Sequence, residues 1–375
     1  MLVNNLKRSL AASTGLLGSM AATSAVAEYG LNLPRGVTPI SQEAYDLHML
    51  IMWVCVAIGV VVFGAMFISI LNHRKSKGVQ PAQFHESTAV EIVWTIVPFL
   101  ILVGMAIPAT KALVAMEDTS NADMSIKVTG YQWKWGYDYM DEDISFISSL
   151  STPKEEIYNK QAKGEHYLLE VDNPVVVPIN KKVRLLVTAN DVIHAWWVPQ
   201  LGMKKDAIPG YINEMWFKID KEGTYRGQCA ELCGKDHAYM PIVVVAKNEA
   251  DYAQWVADQK GAAAADAAAA DRDWTKPELM ERGEKVYGTN CAACHQANGE
   301  GVPGAFPPLK GGPIATGPKE GHIDIVMNGK VGTAMAGYAS QLSDVDLAAV
   351  ITYERNAWGN DTGDLVQPSE VKAAR

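Results

Sequence analysis

The chain has 375 residues, 48% apolar and 20% charged, a composition that excludes a disordered or collagen-like protein. Its net charge of −9, from 33 basic and 42 acidic side chains, argues against a nucleic-acid binder working through broad phosphate contacts. Length predicts two or three domains, and a mean hydropathy of −0.02 conceals two membrane-length apolar runs in the first third.

Lys7 and Arg8 precede the apolar run Leu10 to Ala25 and then Ala25-Val26-Ala27. This is the layout of a cleaved secretory signal over residues 1–27. A third membrane helix is the alternative, but the run is shorter than the ~20 residues a span needs. Leu47 to Leu71 and Val90 to Met116 are long enough, the second containing Pro98 and Pro108. They predict a two-helix transmembrane hairpin within residues 28–120. Between them, His73-Arg74-Lys75-Ser76-Lys77 concentrates positive charge. By the positive-inside rule this loop is cytoplasmic, so everything after Met116 lies on the outer face. The expected location is a bacterial-type inner (cytoplasmic) membrane, with both main soluble domains periplasmic.

Residues 121–250 change to short runs rich in Val, Ile, Tyr and Trp: Ser125–Tyr131, Tyr167–Val171, Val183–Thr188, Glu214–Ile219, Thr224–Gly227 and Ile242–Lys247. Asn, Pro and Gly between them predict an all-β sandwich or barrel. Residues 251–273 include GAAAADAAAAD, with no apolar stripe. That is a linker, helical and semi-rigid or loose. As a flexible chain, the ~14 residues from Lys260 to Asp273 would have a reach of roughly 20 Å. From Trp274 the pattern is helical, giving a third domain over 274–359 and a tail over 360–375. Its last helix is expected to start at Ser343, with Asp346 closing a capping box and Leu347, Val350 and Ile351 on one face.

Cys229-Ala-Glu-Leu-Cys233-Gly-Lys-Asp-His237-Ala-Tyr-Met240 packs two thiols, an imidazole and a thioether into twelve residues. Soft sulfur with imidazole selects copper or zinc over hard cations. Zinc could use both cysteines with His194 and His237, but copper also accepts the weak thioether of Met240. A mononuclear blue site needs one cysteine; two thiolates four residues apart can bridge two coppers. A structural Cys229–Cys233 disulfide is the plain alternative, and it leaves His194, His237 and Met240 unexplained. Cys55, inside an apolar run, reads as a packing residue.

The span pair, Tyr131-Gln-Trp-Lys-Trp135, Asp191-Val-Ile-His194 and the Cys229–Met240 loop resemble subunit II of the haem–copper cytochrome c oxidases over roughly residues 30–250. The resemblance implies a cupredoxin-like sandwich carrying a binuclear copper centre (CuA). Its implied ligands are His194, Cys229, Cys233, His237, Met240 and the backbone carbonyl of Glu231. It further implies that the Glu231 side chain reaches a magnesium ion at the interface with subunit I, and that Trp133 is the electron-input residue facing cytochrome c. Glu91 resembles the acid at the mouth of a proton pathway into subunit I. An ionisable group at a membrane helix end is a functional suspect, although acids that merely touch water occur there too.

Cys291-Ala-Ala-Cys294-His295 is the c-type haem attachment motif: two thioether cysteines and a proximal histidine. Zinc would need further ligands, with His322 a distant candidate. Gly283, Tyr287, Pro303, Pro307-Pro308-Leu309 and the Leu347–Tyr353 helix resemble an all-α class I cytochrome c. A Met sixth ligand suits electron transfer. Met335, in the Gly329–Tyr338 loop where that family places it, is favoured over Met327, which reads as core; the family's following proline is Ala336 here.

These features point to an electron-transfer subunit of a proton-pumping oxidase, with oxygen reduced in another subunit. Haem c, CuA and interfacial magnesium are the expected cofactors. Subunits I and III are the expected partners, with a soluble or membrane-bound cytochrome c or a quinol-oxidising complex as donor. A nitrous oxide reductase would need a His-rich catalytic domain, and eight histidines cannot furnish one. A CuA-containing nitric oxide reductase subunit and a stand-alone membrane-anchored carrier are the remaining alternatives. The third domain and tail carry 9 basic and 12 acidic residues over 274–375, a net −3, which suits a basic mobile donor or simply solubility.

Overall fold

A computed structural model describes residues 32–80, 83 and 85–375; the signal sequence expected over residues 1–27 lies outside the described residues. Helix α1 (Pro39–His73) begins on a capping box between Thr38 and Ser41, with proline at its first position. Helix α2 (Thr88–Glu117) contains Pro98 and Pro108. At 1.5 Å per residue they are about 52 and about 45 Å long, against a hydrocarbon core of roughly 30 Å. Their most apolar windows bury none of their residues. Val60, Phe63, Trp94 and Phe99 are all exposed. A helix apolar on every face is stable only among lipid or other membrane helices. Both expected spans are present.

The outer ends of the hairpin are tied to the β domain. Trp216 Nε1 donates to the Ala115 carbonyl (3.1 Å), and Thr38 Oγ1 donates to that of Leu201 (2.8 Å). Lys205 pairs with Glu117 at 2.9 Å. The anchor therefore fixes the orientation of the domain above the membrane.

That domain is a sandwich of two five-stranded sheets. The first orders β3 (Ile144–Ser148), β2 (Lys134–Tyr139), β1 (Met124–Tyr131), β5 (Val183–Ala189) and β8 (Asn213–Phe217). The second orders β4 (Val175–Pro178), β10 (Pro241–Lys247), β9 (Gly223–Cys229), β6 (His194–Val198) and β7 (Met203–Ala207). β1 runs parallel to β5 and β4 parallel to β10; the other pairings are antiparallel. Period-two alternation buries Val183, Leu185 and Val187 between the sheets. Trp135, Tyr137, Tyr139, Trp196 and Phe217 fill the rest of the core. Tyr167–Val171 is not a strand, contrary to expectation. Leu168 takes a left-handed φ of 61°, which interrupts an extended run, and only Val171 forms an isolated bridge, to Leu150.

The Ala-rich linker is a helix, α3 (Glu249–Ala270), so the flexible-chain alternative fails. Alanine has the highest helix propensity, and Asn248 caps the start by accepting from Asp251 N–H. Tyr252, Trp255 and Val256 bind its first turns to the sandwich. Lys260 pairs with Glu142 at 2.8 Å, and near the far end Asp266 reaches Arg282 at 3.6 Å. Exposed pairs contribute at most about 1 kcal/mol each, so the apolar contact of the aromatic anchor holds the rod more strongly than they do. The linker acts as a rod.

The third domain packs α4 (Lys276–Asn290) across α6 (Asp344–Asn356), with α5 (Lys319–Asn328) alongside. At Gly283 a Cβ would lie 2.1 Å from the Ala349 carbonyl, so only glycine allows this crossing. Ser343 caps α6, but Asp346 does not complete a capping box; its carboxylate goes to the Ser343 hydroxyl and to Arg282. Residues 360–375 are not a loose tail. They form α7 (Pro368–Ala374), and Val366 and Val371 are fully buried in the third domain's core. Burial of these two apolar side chains folds the terminus back onto the domain.

Ala264→Pro should break the rod, at a cost of roughly 3 kcal/mol of helix stability. Limited proteolysis should then cut between residues 260 and 270 in the variant and leave the parent intact; equal resistance would mean that the rod tolerates a kink.

Candidate metal and haem centres

The hairpin of β9 and β10 projects one loop, Ala230–Met240, over the mouth of the sandwich. Cys229 closes β9, Met240 precedes β10, and His194 opens the neighbouring β6. The two thiol sulfurs lie 3.8 Å apart. That is far beyond the ~2.05 Å of a disulfide, and both are free thiols. Cys229 Sγ lies 4.0 Å from His194 Nδ1 and 3.3 Å from the Glu231 carbonyl oxygen. Cys233 Sγ lies 3.4 Å from His237 Nδ1 and 3.5 Å from Met240 Sδ. Each sulfur thus has its own imidazole and one weak axial donor. Among the described residues, His194, Cys229 and Cys233 form the one cluster of histidine, cysteine and carboxylate ligand atoms compact enough for a metal. A donor set of two thiolates, two imidazoles, a thioether and a carbonyl fits soft copper.

Supporting groups hold this geometry. His194 is fully buried, and its Nε2 meets Asp191 Oδ1 at 2.9 Å, which turns Nδ1 toward the thiols. The hydrogen bond from Cys233 holds the Cys229 thiol well below its usual range, whereas Cys233, donating to that thiolate, is pushed up. Trp135 packs edge-on against His194 at 5.8 Å and donates to the Met240 carbonyl. Gln132 Nε2 and Trp133 Nε1 both donate to the Cys233 carbonyl, at 2.8 and 3.1 Å. Gly234, at φ +122°, passes under Trp133, where a Cβ would lie 2.9 Å from the ring. The Glu231 side chain is exposed on the loop, while its carbonyl faces inward.

In the third domain Cys291, Cys294, His295 and Met335 line one cavity of about 360 Å³. His295 Nδ1 donates to the Pro307 carbonyl at 2.8 Å, leaving Nε2 as the free lone pair. Met335 sits on a loop closed by Lys330 N–H donating to its carbonyl. Met327 is instead buried in the helical core, as its sequence context suggests. His322 and Glu354, 1% and 3% exposed, pair at 2.8 Å in the cavity wall. His322 Nδ1 has no hydrogen-bond partner among the described residues. With Nε2 donating to Glu354, this nitrogen is a buried acceptor without a partner in the wall of the cavity. Glu91 is not brought to either centre. It lies in the first turn of α2, exposed, about 39 Å along the helix axis from Glu117.

Residues 124–247 match the family model for the periplasmic domain of cytochrome c oxidase subunit II, and residues 26–112 match that for its transmembrane domain. Cytochrome c oxidase subunit 2 of Cereibacter sphaeroides is 35% identical over 274 residues, covering 66% of this chain and 90% of that protein. The chain belongs to the cytochrome c oxidase subunit II family. The probable cytochrome c oxidase subunit 2 of Rickettsia bellii is 39% identical over 227 residues, 60% of this chain and 83% of that one. The solved periplasmic domain of subunit II from Bradyrhizobium japonicum is 45% identical, covering 38% of this chain and 97% of that one, with a TM-score of 0.35. Residues 278–353 match the family model for subunit III of cbb3-type cytochrome c oxidase, so this subunit II carries a fused cytochrome c domain.

A subunit II chain is a membrane-anchored component of an oxidoreductase complex and works with subunit I; its family implies copper in the β domain and haem c in the fused domain. Asp191, Trp135, Gln132 and Glu354 were not picked out from sequence as parts of the two sites, and His322 was named only as a distant zinc candidate. A carboxylate three residues before a ligand histidine was the available signal for Asp191. Nothing in the sequence places Glu354 opposite His322.

Asp191→Ala should lower copper affinity by about 10- to 100-fold, because the freed imidazole can rotate; titration with a competing chelator reads this directly. Met335→Ala should leave the covalent haem attached but remove the sulfur–iron charge-transfer band and lower the potential. Met327→Ala should change thermal stability and leave the band; the reverse pattern would exchange the two assignments.

Proposed function

We propose that this subunit receives electrons at its fused cytochrome domain and passes them through the β domain to subunit I, where oxygen is reduced to water. Haem c and binuclear CuA, when bound, each take up and give back one electron. Cys291 and Cys294 would attach the haem, and His295 and Met335 would hold its iron. His194, Cys229, Cys233, His237, Met240 and the Glu231 carbonyl would hold CuA. The single observation that carries this reading is the meeting of those six donors around sulfurs 3.8 Å apart. Oxygen chemistry is assigned to the partner subunit I. Trp133, hydrogen-bonded to the Cys233 carbonyl, is the proposed input to the copper loop.

Finer assignments follow the same reading. The exposed Glu231 carboxylate is the proposed magnesium contact at the subunit I face. Glu91 lies at the end of α2 that the positive loop assigns to the cytoplasm, and it is the proposed mouth of a proton pathway for a proton-translocating complex that includes subunit III. The periplasmic placement of both soluble domains rests on the same loop charge. A cytochrome c or a quinol-oxidising complex would supply electrons from outside.

Metal analysis and spectroscopy of the full chain test the core of this proposal. The expected result is one haem c and two coppers per chain, with a purple mixed-valence copper signal that Cys233→Ser abolishes. A single copper with an intense blue band would overturn the binuclear reading. In stopped flow with reduced external cytochrome c, haem c should reduce before copper. Consumption of nitric oxide rather than oxygen by the purified complex would reassign the reaction.

A further inference from the structure

The face of the β domain that carries the half-buried Trp133 is covered in part by the haem-attachment segment. Lys235, in the copper loop, donates from Nζ to the carbonyl of Ala293, between the two haem cysteines, at 2.7 Å. The same ammonium lies 5.7 Å from the centre of the Trp133 ring. Lys134, next to Trp133, donates to Asn290 Oδ1 at 2.8 Å. Asn290 spends its own amide donor on the Val286 carbonyl, at 3.1 Å, which leaves Oδ1 turned outward to accept. The Lys134 ammonium also lies 4.8 Å from the Tyr338 ring centre, and the Tyr338 hydroxyl donates to the Asn290 carbonyl.

Lys134 is only 7% exposed, an uncommon position for a lysine, and burial pulls its ammonium down to about 8. A buried cation without partners would be strongly unfavourable. Here an amide oxygen, an aromatic face and the more distant carboxylates of Asp191 and Asp172 receive it. Two cations therefore grip the five residues Asn290–Cys294 from either side of Trp133. Both contacts are charge-assisted, directional and local to the place where the two candidate centres approach each other.

We propose that Lys134 and Lys235 are positioning residues forming a latch, which seats the haem-attachment segment on Trp133 and reserves that face for the chain's own cytochrome domain. This rests on the electron-transfer reading above and says how the transfer is made fast and exclusive. The step it serves moves one electron from reduced haem c, which becomes oxidised, to oxidised CuA, which becomes reduced; no proton moves and no bond is made. The rod of α3 brings the domain near, and the latch sets the contact. A diffusing donor must then meet the cytochrome domain on another face, because the haem-attachment segment covers part of the Trp133 face.

The test is flash photoreduction of haem c in the full-length chain loaded with haem and copper, following electron arrival at CuA. Lys235→Ala is the primary variant, because this side chain is half exposed and its loss spares the core. Lys134→Ala and the double variant follow. Losing one charge-assisted contact should lower the docked-to-undocked ratio about tenfold or more. The transfer rate should fall by a similar factor in each single variant and by more in the double variant, with the optical and magnetic signals of both centres unchanged. Lys235→Arg, which keeps a cationic donor, should restore most of the rate. Unchanged rates in the double variant with intact signals would overturn the latch. Absence of haem or copper signals in the unsubstituted chain would instead overturn the electron-transfer reading itself.

Discussion

The carbonyl oxygen of Cys233 is the acceptor on which the arrangement of this subunit turns. It takes hydrogen bonds from Gln132 Nε2 and Trp133 Nε1, and so binds the β1–β2 connection to the copper loop. That loop can then keep its two sulfurs 3.8 Å apart without closing a disulfide. Two residues further on, Lys235 reaches the haem-attachment segment. One backbone atom thereby links the candidate metal loop, Trp133 and, through Lys235, the cytochrome domain. Hydrogen bonds to a buried carbonyl contribute about 1 kcal/mol each; their value here is geometric, since they fix a loop that would otherwise have many conformations.

Rigidity recurs at every junction. The hairpin grips the sandwich through Thr38, Glu117 and Trp216. The rod of α3 starts on an aromatic anchor at Tyr252 and Trp255, and the folded-back terminus packs Val366 and Val371 under α6. A tethered domain on a loose chain would gain only a raised effective concentration. A domain on a rod with a two-lysine seat gains orientation as well, and electron transfer over short distances depends on orientation and contact more than on encounter.

The buried His322–Glu354 pair stands apart from this logic. Two polar side chains in an apolar wall are unfavourable unless paired, and here each is the other's partner. The pair lies in the lining of the cavity that also holds Cys291, Cys294, His295 and Met335.

Much of this was legible in the chain itself. Two apolar runs longer than a bilayer is thick, a cysteine pair with histidine and methionine at fixed spacing, and a Cys-x-x-Cys-His motif are local patterns, and their chemistry follows from residue type. That Met335 lies on a cavity-lining loop and Met327 in the helical core was legible too, because one sits among glycines and the other in an apolar helical turn. Strands such as Lys134–Tyr139 and Met203–Ala207 were not: the first is buried almost throughout, Lys134 included, and the charged residues Lys204, Lys205 and Asp206 obscure the alternation of the second. The helical linker was one of two readings that alanine composition allows; its packing through Tyr252, Trp255 and Val256, with the pairs to Glu142 and Arg282, comes only from the tertiary structure. Local composition thus marked the copper- and haem-type motifs and the two described helices long and apolar enough to cross a membrane. Tertiary structure alone decided which atoms orient the ligands and what covers Trp133, because Asp191 with Gln132, Lys134 with Asn290 and His322 with Glu354 are pairings between distant segments that no periodicity records.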